Sequence, residues 1–470
     1  MCKASRTGVE GVTTMSSDVD FGRARKARRV PLHRTVRRLI RDPMAGLQSI
    51  AQEADGEIVR LQLGWFRPYL VTHPDHVQRI LRDEATNYVR QGMFWSPLSR
   101  LFGQGILSDG PPWESSRRNL QPLFTAKRVD ALMARMAAVA HEAVDDLARH
   151  VRSGEPVDVA TEMSRVVNRT IIRVFFADRI PPAEADQIIP ALYDIATSMV
   201  VRMALPWAPQ RLPLPGDRAF HRGVGTIDDV LLPVIRDVRR HPDGGDDVIA
   251  TLCAATGPDG AELTERQVRD DVVTMFITAT ETTSLTLTWL WPILRAHPDV
   301  ARRLYDEIDS VLGDDRVRHT HVPRLHYVRA VLDELLRLYP VGWIFPRTAL
   351  AADVLGDTRI EAGATLLISP FLTHRMAEFW PDPQRFDPER FVAGGAPHRY
   401  AYFPFGGGPH QCLGRHVFQV EAQLIVASVL SRIRPVPSSA GVPALKVAAT
   451  LLPEERVRMA FEPVASRRAA

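Results

Sequence analysis

The stretch from Thr264 to Ala296 is the longest periodic segment of the chain, and it limits the fold more than any other feature. Thr264 and Gln267 form a capping box at its start. About 30 residues of helix span roughly 45–50 Å at 1.5 Å per residue, enough to cross a whole domain. Pro292 lies inside the segment and is expected to kink its last turns. Further helices are expected over about 299–312, over Tyr327–Leu338 up to Pro340, and over His416–Leu430. From Pro112 to about Arg240 the pattern is also mainly helical, broken at Gly154-Glu155-Pro156, at Pro181-Pro182 and over Pro206–Pro215. Strand signals are short. Val59, Leu61 and Leu63 alternate with Arg60 and Gln62, and Tyr69–Thr72 follows across a turn, which predicts a hairpin. A short helix to about Arg82 follows His73-Pro74-Asp75, and residues 346–403 read as short strands and loops. Residues 88–112 read as a long irregular loop, and its apolar side chains (Phe94, Trp95, Leu98 among them) must bury against something. The expected architecture is mainly α with small β-sheets. Residues 1–30 are expected to be a disordered basic arm and 31–470 a single domain, with no repeat or linker between two compositions.

Composition excludes several classes. At 45% hydrophobic and 24% charged residues the chain can bury a large core and still line a pocket. The net charge of +4 is carried by arginine, since Lys3, Lys26, Lys127 and Lys446 are the only lysines. The one dense basic cluster, Arg23–Arg41, reads as a solvated arm, so no nucleic-acid partner is expected. Cys2, Cys253 and Cys412 are far apart and form no Cys-x-x-Cys pair, which argues against a disulfide framework or zinc site and for a reducing cytoplasm. No apolar run reaches the roughly 18 residues of a membrane span. Met1–Asp20 has no signal-peptide core, so no membrane anchor is expected, and Met15 is a second candidate start.

The most informative chemistry lies in Phe405-Gly-Gly-Gly-Pro-His-Gln-Cys-Leu-Gly414. Glycines such as Gly406 let the backbone approach a flat ligand, and Phe405 can pack on it. Cys412 then stands where a helix begins, facing unpaired N–H groups and the positive end of the dipole. Both favour the thiolate, the form a haem iron needs if electron donation is to help cleave O–O. A lone cysteine in a glycine-rich turn is by default a structural thiol; this ten-residue arrangement is far more specific.

On these residues the chain resembles the cytochrome P450 family, whose pattern Phe-x-x-Gly-x-(Arg or His)-x-Cys-x-Gly is matched at Phe405, Gly408, His410, Cys412 and Gly414. The resemblance implies haem b (iron protoporphyrin IX) with Cys412 as its iron ligand and His410 on a propionate. It extends over roughly residues 43 to 463. Trp113-Glu-Ser-Ser-Arg117 is similar to the family's Trp-x-x-x-Arg, and Arg347 stands where the family has another propionate-binding arginine. Glu334-Leu-Leu-Arg337 and Arg390 match a structural network that holds the cysteine loop. In Thr278-Ala-Thr-Glu-Thr-Thr283 the resemblance makes Glu281 and Thr282 the acid–threonine pair that relays protons, beside Thr278 and Ala279 over the haem. The bland reading is a buried threonine-rich helix bonding back on itself. Ala279 departs from the family's usual glycine and should narrow the groove for oxygen and water.

The implied activity is that of a monooxygenase inserting one oxygen atom from O2 into an apolar small molecule. Pocket candidates are Phe94, Trp95 and Leu98 from the long loop, Leu192, Met199 and Met203 from the following helices, and Trp343, Ile344 and Leu452. Arg211-Leu-Pro-Leu-Pro215 is similar to bacterial members that oxidise terpenes, which points to a terpenoid secondary metabolite. A ferredoxin-type donor with its reductase, a cytoplasmic location and a monomer complete the expectation. Two other readings stand beside it. One is an oxygen-independent cyclisation or group transfer at the same haem, motivated by Ala279; the other is a non-catalytic haem sensor or electron carrier.

Overall fold

The computed structural model describes residues 23–464 apart from 152–154, 206–207, 210, 243, 258 and 439–440. Its organising element is one continuous helix, Glu265–Ala296. The Thr264 hydroxyl accepts from Gln267 N, and the Gln267 side chain accepts from Thr264 N at 2.8 Å, so the capping box forms as expected. Despite Pro292, the helix runs unbroken to Ala296 and ends at His297, where Pro298 opens the next helix. It is buried almost all round from Val268 to Leu294, as a helix crossing a core must be. Its hydroxyls bond back one turn: Thr274 to Asp270 O, Thr278 to Thr274 O, Thr282 to Thr278 O and Thr286 to Thr282 O.

Against this central helix pack Val159–Phe175 and Asp217–Arg240. The last helix, Arg415–Leu430, is buried over Val417–Leu430 except for Gln419 and lies against Ala126–Val151. These elements share the largest apolar cluster, so the cysteine loop enters the helical core directly. A six-stranded sheet lies beside it, in the order Arg28–Val30, Val59–Leu61, Tyr69–Val71, Thr365–Ile368, Phe345–Ala349, Tyr88–Val89. The expected hairpin is there, with Val59 opposite Leu70. Arg347 sits opposite Leu366, which puts this arginine in the sheet rather than in a loop.

Two expectations are corrected. Within the presumed disordered arm, Arg25–Lys26 pairs with Thr358–Arg359 and Arg28–Val30 pairs with Val59–Leu61. Sheet edges with open backbone groups capture this segment, and Arg25 adds ion pairs to Glu57 and Asp357. Residues 1–22, with Cys2 and Met15, lie outside the described residues. The loop 88–112 is not irregular throughout, because it holds the strand Tyr88–Val89 and a two-turn helix, Trp95–Phe102. Leu98, Leu101 and Phe102 carry helical spacing there, and Gly103 ends the helix at φ +59°.

Candidate active site

The cysteine loop is held by glycines for a reason different from the one expected. A Cβ on Gly408, at φ +64°, would lie 1.8 Å from Leu81 O, and one on Gly407 would lie 2.5 Å from the Tyr400 ring. These residues must be small because the loop packs onto neighbouring backbone and a tyrosine. Only Gly406, at φ +67°, has open room beside it, with Phe345 3.9 Å away. Cys412 N donates to Phe405 O at 3.0 Å and closes the loop. Gly414 then caps the helix, and the backbone N–H groups of Gly414 and Arg415 donate to Sγ, with the Arg117 charge nearby. Burial is nonetheless the largest influence on the thiol and pushes it up. A cation bonded to the sulfur would favour its anionic form, with these helix-end donors in support.

Cys412 and Glu281 each keep accessible surface and are each strongly desolvated. Both observations hold together if the two side chains line an internal space between the loop and the central helix. Burial raises the Glu281 carboxyl, an effect that the Thr450 side chain partly offsets. Thr282 beside it spends its hydroxyl hydrogen on Thr278 O at 2.7 Å, leaving lone pairs for other donors. Thr278 donates likewise to Thr274 O, and Ala279 is half-buried against the main core.

At the edge of this space is a cluster of cations. Arg347 is 6% exposed, donates only to its neighbour Pro346 O at 2.8 Å, and is pushed down to about 9 by burial. Burial likewise lowers Arg90 to about 10, with Nη2 on Ser108 O at 2.5 Å and Nε on Asp109 at 3.4 Å. His410 Nε2 lies 2.6 Å from Asp109 Oδ1, and its ring sits 4.3 Å from that of Trp113. Arg117 Nη1 donates to Gln411 O at 2.6 Å. Burial would raise Asp109, but His410 and Arg90 hold it at about 2. Arg90, Arg347 and His410 thus share the one carboxylate of Asp109, Arg117 adds a positive charge beside Arg90, and each of the four is pushed below its ordinary value, first by burial. A group bringing two carboxylates would complete the charge balance, which fits the propionates of haem b.

Trp95, expected in the pocket wall, has a role that the sequence did not show. Its ring lies 5.7 Å from the Arg90 guanidinium and 5.8 Å from that of Arg347, and its indole N–H donates to Pro346 O at 3.1 Å. It braces the cations. Among the other pocket candidates, Phe94, Trp343 and Ile344 pack on one apolar cluster, while Leu98, Met199 and Leu452 pack on the main core. Met203 is half-buried, and the Leu192 side chain lies outside the described residues.

The network behind the loop is built from fully buried groups. Glu334 and Arg337 are each 0% exposed and pair through bonds of 2.6 and 2.8 Å. Asp387 N donates to Glu334 Oε1 at 2.8 Å, and Arg390 Nε stands off at 3.6 Å. Arg337 also donates to the carbonyls of His374, Pro383 and Arg385. His374, kept neutral by burial, accepts from Phe403 N through Nε2 at 2.9 Å, two residues before Phe405. The connection from the buried pair to the cysteine loop therefore passes through His374, which sequence reasoning missed. Arg90 and Asp109 were also missed. Asp109-Gly110 before a helix was readable as a turn; Arg90 carries no sequence signal at all.

On the loop's other face a cavity of about 740 Å³ is lined by Arg329, Arg399, Arg415, Asp333, Gln411 and Phe405, among others. Neither Cys412 nor any residue of the central helix lines it.

A family model described as Cytochrome P450 matches residues 33–460. Cyclooctat-9-en-7-ol 5-monooxygenase of Streptomyces melanosporofaciens is 33% identical over 420 residues, 87% of this chain and 89% of that protein. Pentalenene oxygenase of Streptomyces avermitilis is 28% identical, covering 84% and 87%. Among solved structures, the haem domain of cytochrome P450DA superposes with a TM-score of 0.82 at 24% identity, over 94% of this chain and 98% of that one, a likeness of fold.

Proposed function

The chain belongs to the cytochrome P450 family, as a monooxygenase carrying haem b, and from that premise we propose that it oxidises an apolar terpenoid. The support is the identity to two oxygenases whose names refer to cyclooctat-9-en-7-ol and pentalenene, and the apolar side chains of Phe94, Leu98, Met199 and Leu452 are the candidates for the pocket wall. Bound haem b supplies the activation of O2 and the transfer of one oxygen atom. Cys412 ligates its iron through Sγ, with the N–H groups of Gly414 and Arg415 and the Arg117 charge holding the negative sulfur in place. Arg90, Arg347, Arg117, His410 and Trp113 take the two propionates, and Trp95 holds the arginines in position. Glu334, Arg337 and Arg390 keep the loop rigid.

Glu281 holds a proton at its carboxyl and passes it toward Thr282 Oγ1, whose own hydrogen is engaged by Thr278 O. Ala279 places a methyl where the family's glycine leaves a groove, which restricts how much water reaches this pair. A ferredoxin-type donor, itself served by a reductase, docks over the other face of the cysteine loop. Arg329, Arg399 and Arg415 there favour an acidic partner. Among the described residues no helix is long and apolar enough to cross a membrane. Cysteine usage favours a reducing cytoplasm, and the chain acts as a monomer.

The carrying observation is one desolvated sulfur at a helix start beside an anion-deficient cluster. Carbon monoxide added to the reduced protein should give a thiolate-type Soret band that Cys412→Ala abolishes; retention of the band in that variant refutes the assignment. Screening terpenoids for Soret shifts tests the substrate class. Shifts with unrelated aromatic compounds and none with terpenoids would overturn it.

A further inference from the structure

A guanidinium keeps its charge in any setting a protein offers, so several buried together need carboxylates facing them. Arg90 and Arg347 are 8% and 6% exposed, and Arg117 stands half-buried near Arg90. Among the described residues, Asp109 is the one carboxylate whose charge acts on Arg90 and Arg347. Three fixed positive charges therefore meet one fixed negative charge. The two propionates of haem b would bring the fixed charges to three against three, and only with Asp109 does that balance close.

Asp109 also touches three separate elements. Gly110 follows it at φ +70° and turns the chain into helix Pro111–Leu120. Asp109 Oδ2 accepts from Arg90 N, just past strand Tyr88–Val89, and Oδ1 accepts from Arg90 Nε at 3.4 Å. Arg90 Nη2 donates to Ser108 O at 2.5 Å, so two consecutive residues clamp this arginine. On the other side His410 Nε2 stands 2.6 Å from Asp109 Oδ1, both side chains being largely buried. The Trp113 ring, 4.3 Å from the imidazole, closes that side. His410 lies two residues before Cys412, so one carboxylate serves both an arginine of the cluster and the cysteine loop.

We propose that Asp109 is a positioning residue for the haem and the third carboxylate of its cluster: it aims Arg90 and His410 at the propionates, and its negative charge holds the reduction potential of the iron down. This rests on the reading of the cluster as the propionate site. A fixed negative charge near the iron favours the ferric form, which carries one more positive charge than the ferrous form. The Asp109 side chain is 12% exposed, so salt screens it little. Without that charge three guanidiniums face two propionates, and the positive excess favours reduction.

Asp109→Asn keeps the shape and an oxygen for Arg90 N while removing the charge; Asp109→Glu keeps the charge. The ferric–ferrous midpoint of the substrate-free holoenzyme is measured by spectroelectrochemistry, with the carbon monoxide band checking that the thiolate ligand stays. The expected result in Asp109→Asn is an equilibrium about tenfold further toward the ferrous form, which is about 59 mV for one electron. Asp109→Glu should stay close to the parent. The propionate-bending band of the resonance Raman spectrum should move in Asp109→Asn as well, because Arg90 and His410 lose the charge that aims them. An unchanged or more negative midpoint in Asp109→Asn overturns the proposal, as does a propionate band that stays in place or a glutamate variant that behaves like asparagine. Asp109→Ser, also uncharged, repeats the comparison should the asparagine variant not hold haem. Failure of the underlying reading looks different: Arg347→Met would then lose haem to apomyoglobin no faster than the parent, whatever the Asp109 variants do to the midpoint.

Discussion

Replacing Asp271 by asparagine should make this protein more stable at neutral pH, although it removes a charge from a well-bonded carboxylate. Asp271 is 2% exposed on the central helix. Its Oδ1 accepts from Ile106 N at 2.9 Å and its Oδ2 from Ser116 Oγ at 2.5 Å, while Asp270 next to it accepts from Gln104 N at 3.2 Å. The two carboxylates dock the 103–106 segment so closely that a Cβ on Gly103 would sit 1.6 Å from Asp270 and one on Gly105 2.3 Å from Asp271. Burial, aided by the Asp270 charge, nevertheless pushes Asp271 up to about 6, against the pull of Ser116 and Ile106. With the folded value above the unfolded one, the folded state binds the extra proton, so stability is greatest in acid and falls as pH rises between the two values. At about 1.4 kcal/mol per pH unit, a rise from the ordinary 3.8 to about 6 is worth about 3 kcal/mol once both states are ionised. Asparagine mimics the protonated form: its carbonyl can accept from Ile106 N and its amide can donate to Ser116. The variant's advantage in denaturant unfolding of the holoenzyme should grow from under about 1 kcal/mol at pH 4 to about 3 kcal/mol above pH 7. A variant less stable than the parent at pH 7, or an advantage that does not change with pH, refutes the reasoning.

Gly408→Ala should cost at least about 2 kcal/mol, since its Cβ would meet Leu81 O at 1.8 Å from a backbone at φ +64°; haem retention on a desalting column is the readout. Glu334→Gln should cost about 3–5 kcal/mol by leaving Arg337, 0% exposed, without its counter-charge, seen as an early thermal transition. Arg100→Ala should loosen Trp95–Phe102. Arg100 donates to Ser198 at 2.9 Å and to Asp217 at 3.2 Å, joining that helix to Pro182–Ala204 and Asp217–Arg240, so hydrogen exchange in 95–102 should speed up several-fold on a loss of about 1 kcal/mol.

What could be read from the chain were features whose parts lie close in sequence. The capping box partners Thr264 and Gln267 are three positions apart, and so are Glu334 and Arg337. The cysteine with its helix start fits within ten. Each is a short-range geometry that the helix or turn imposes on its own. What Trp95 does for the cations was not legible for the opposite reason. Its apolar neighbours were visible, but the two arginines that use its ring come from a strand edge and from a segment 252 residues further on.

By itself, then, the order of residues determined the long central helix, the thiolate loop, the buried Glu-x-x-Arg pair and, through family likeness, the haem chemistry. Tertiary packing decided which side chains share a space. Sheet register sets Val89 opposite Thr348 and so brings Arg90 beside Arg347; Asp109 then reaches His410, and His374 reaches Phe403. Those meetings depend on how strands and helices stack, and burial then lowers Arg90, Arg347, His410 and His374. No local periodicity or spacing encodes either effect.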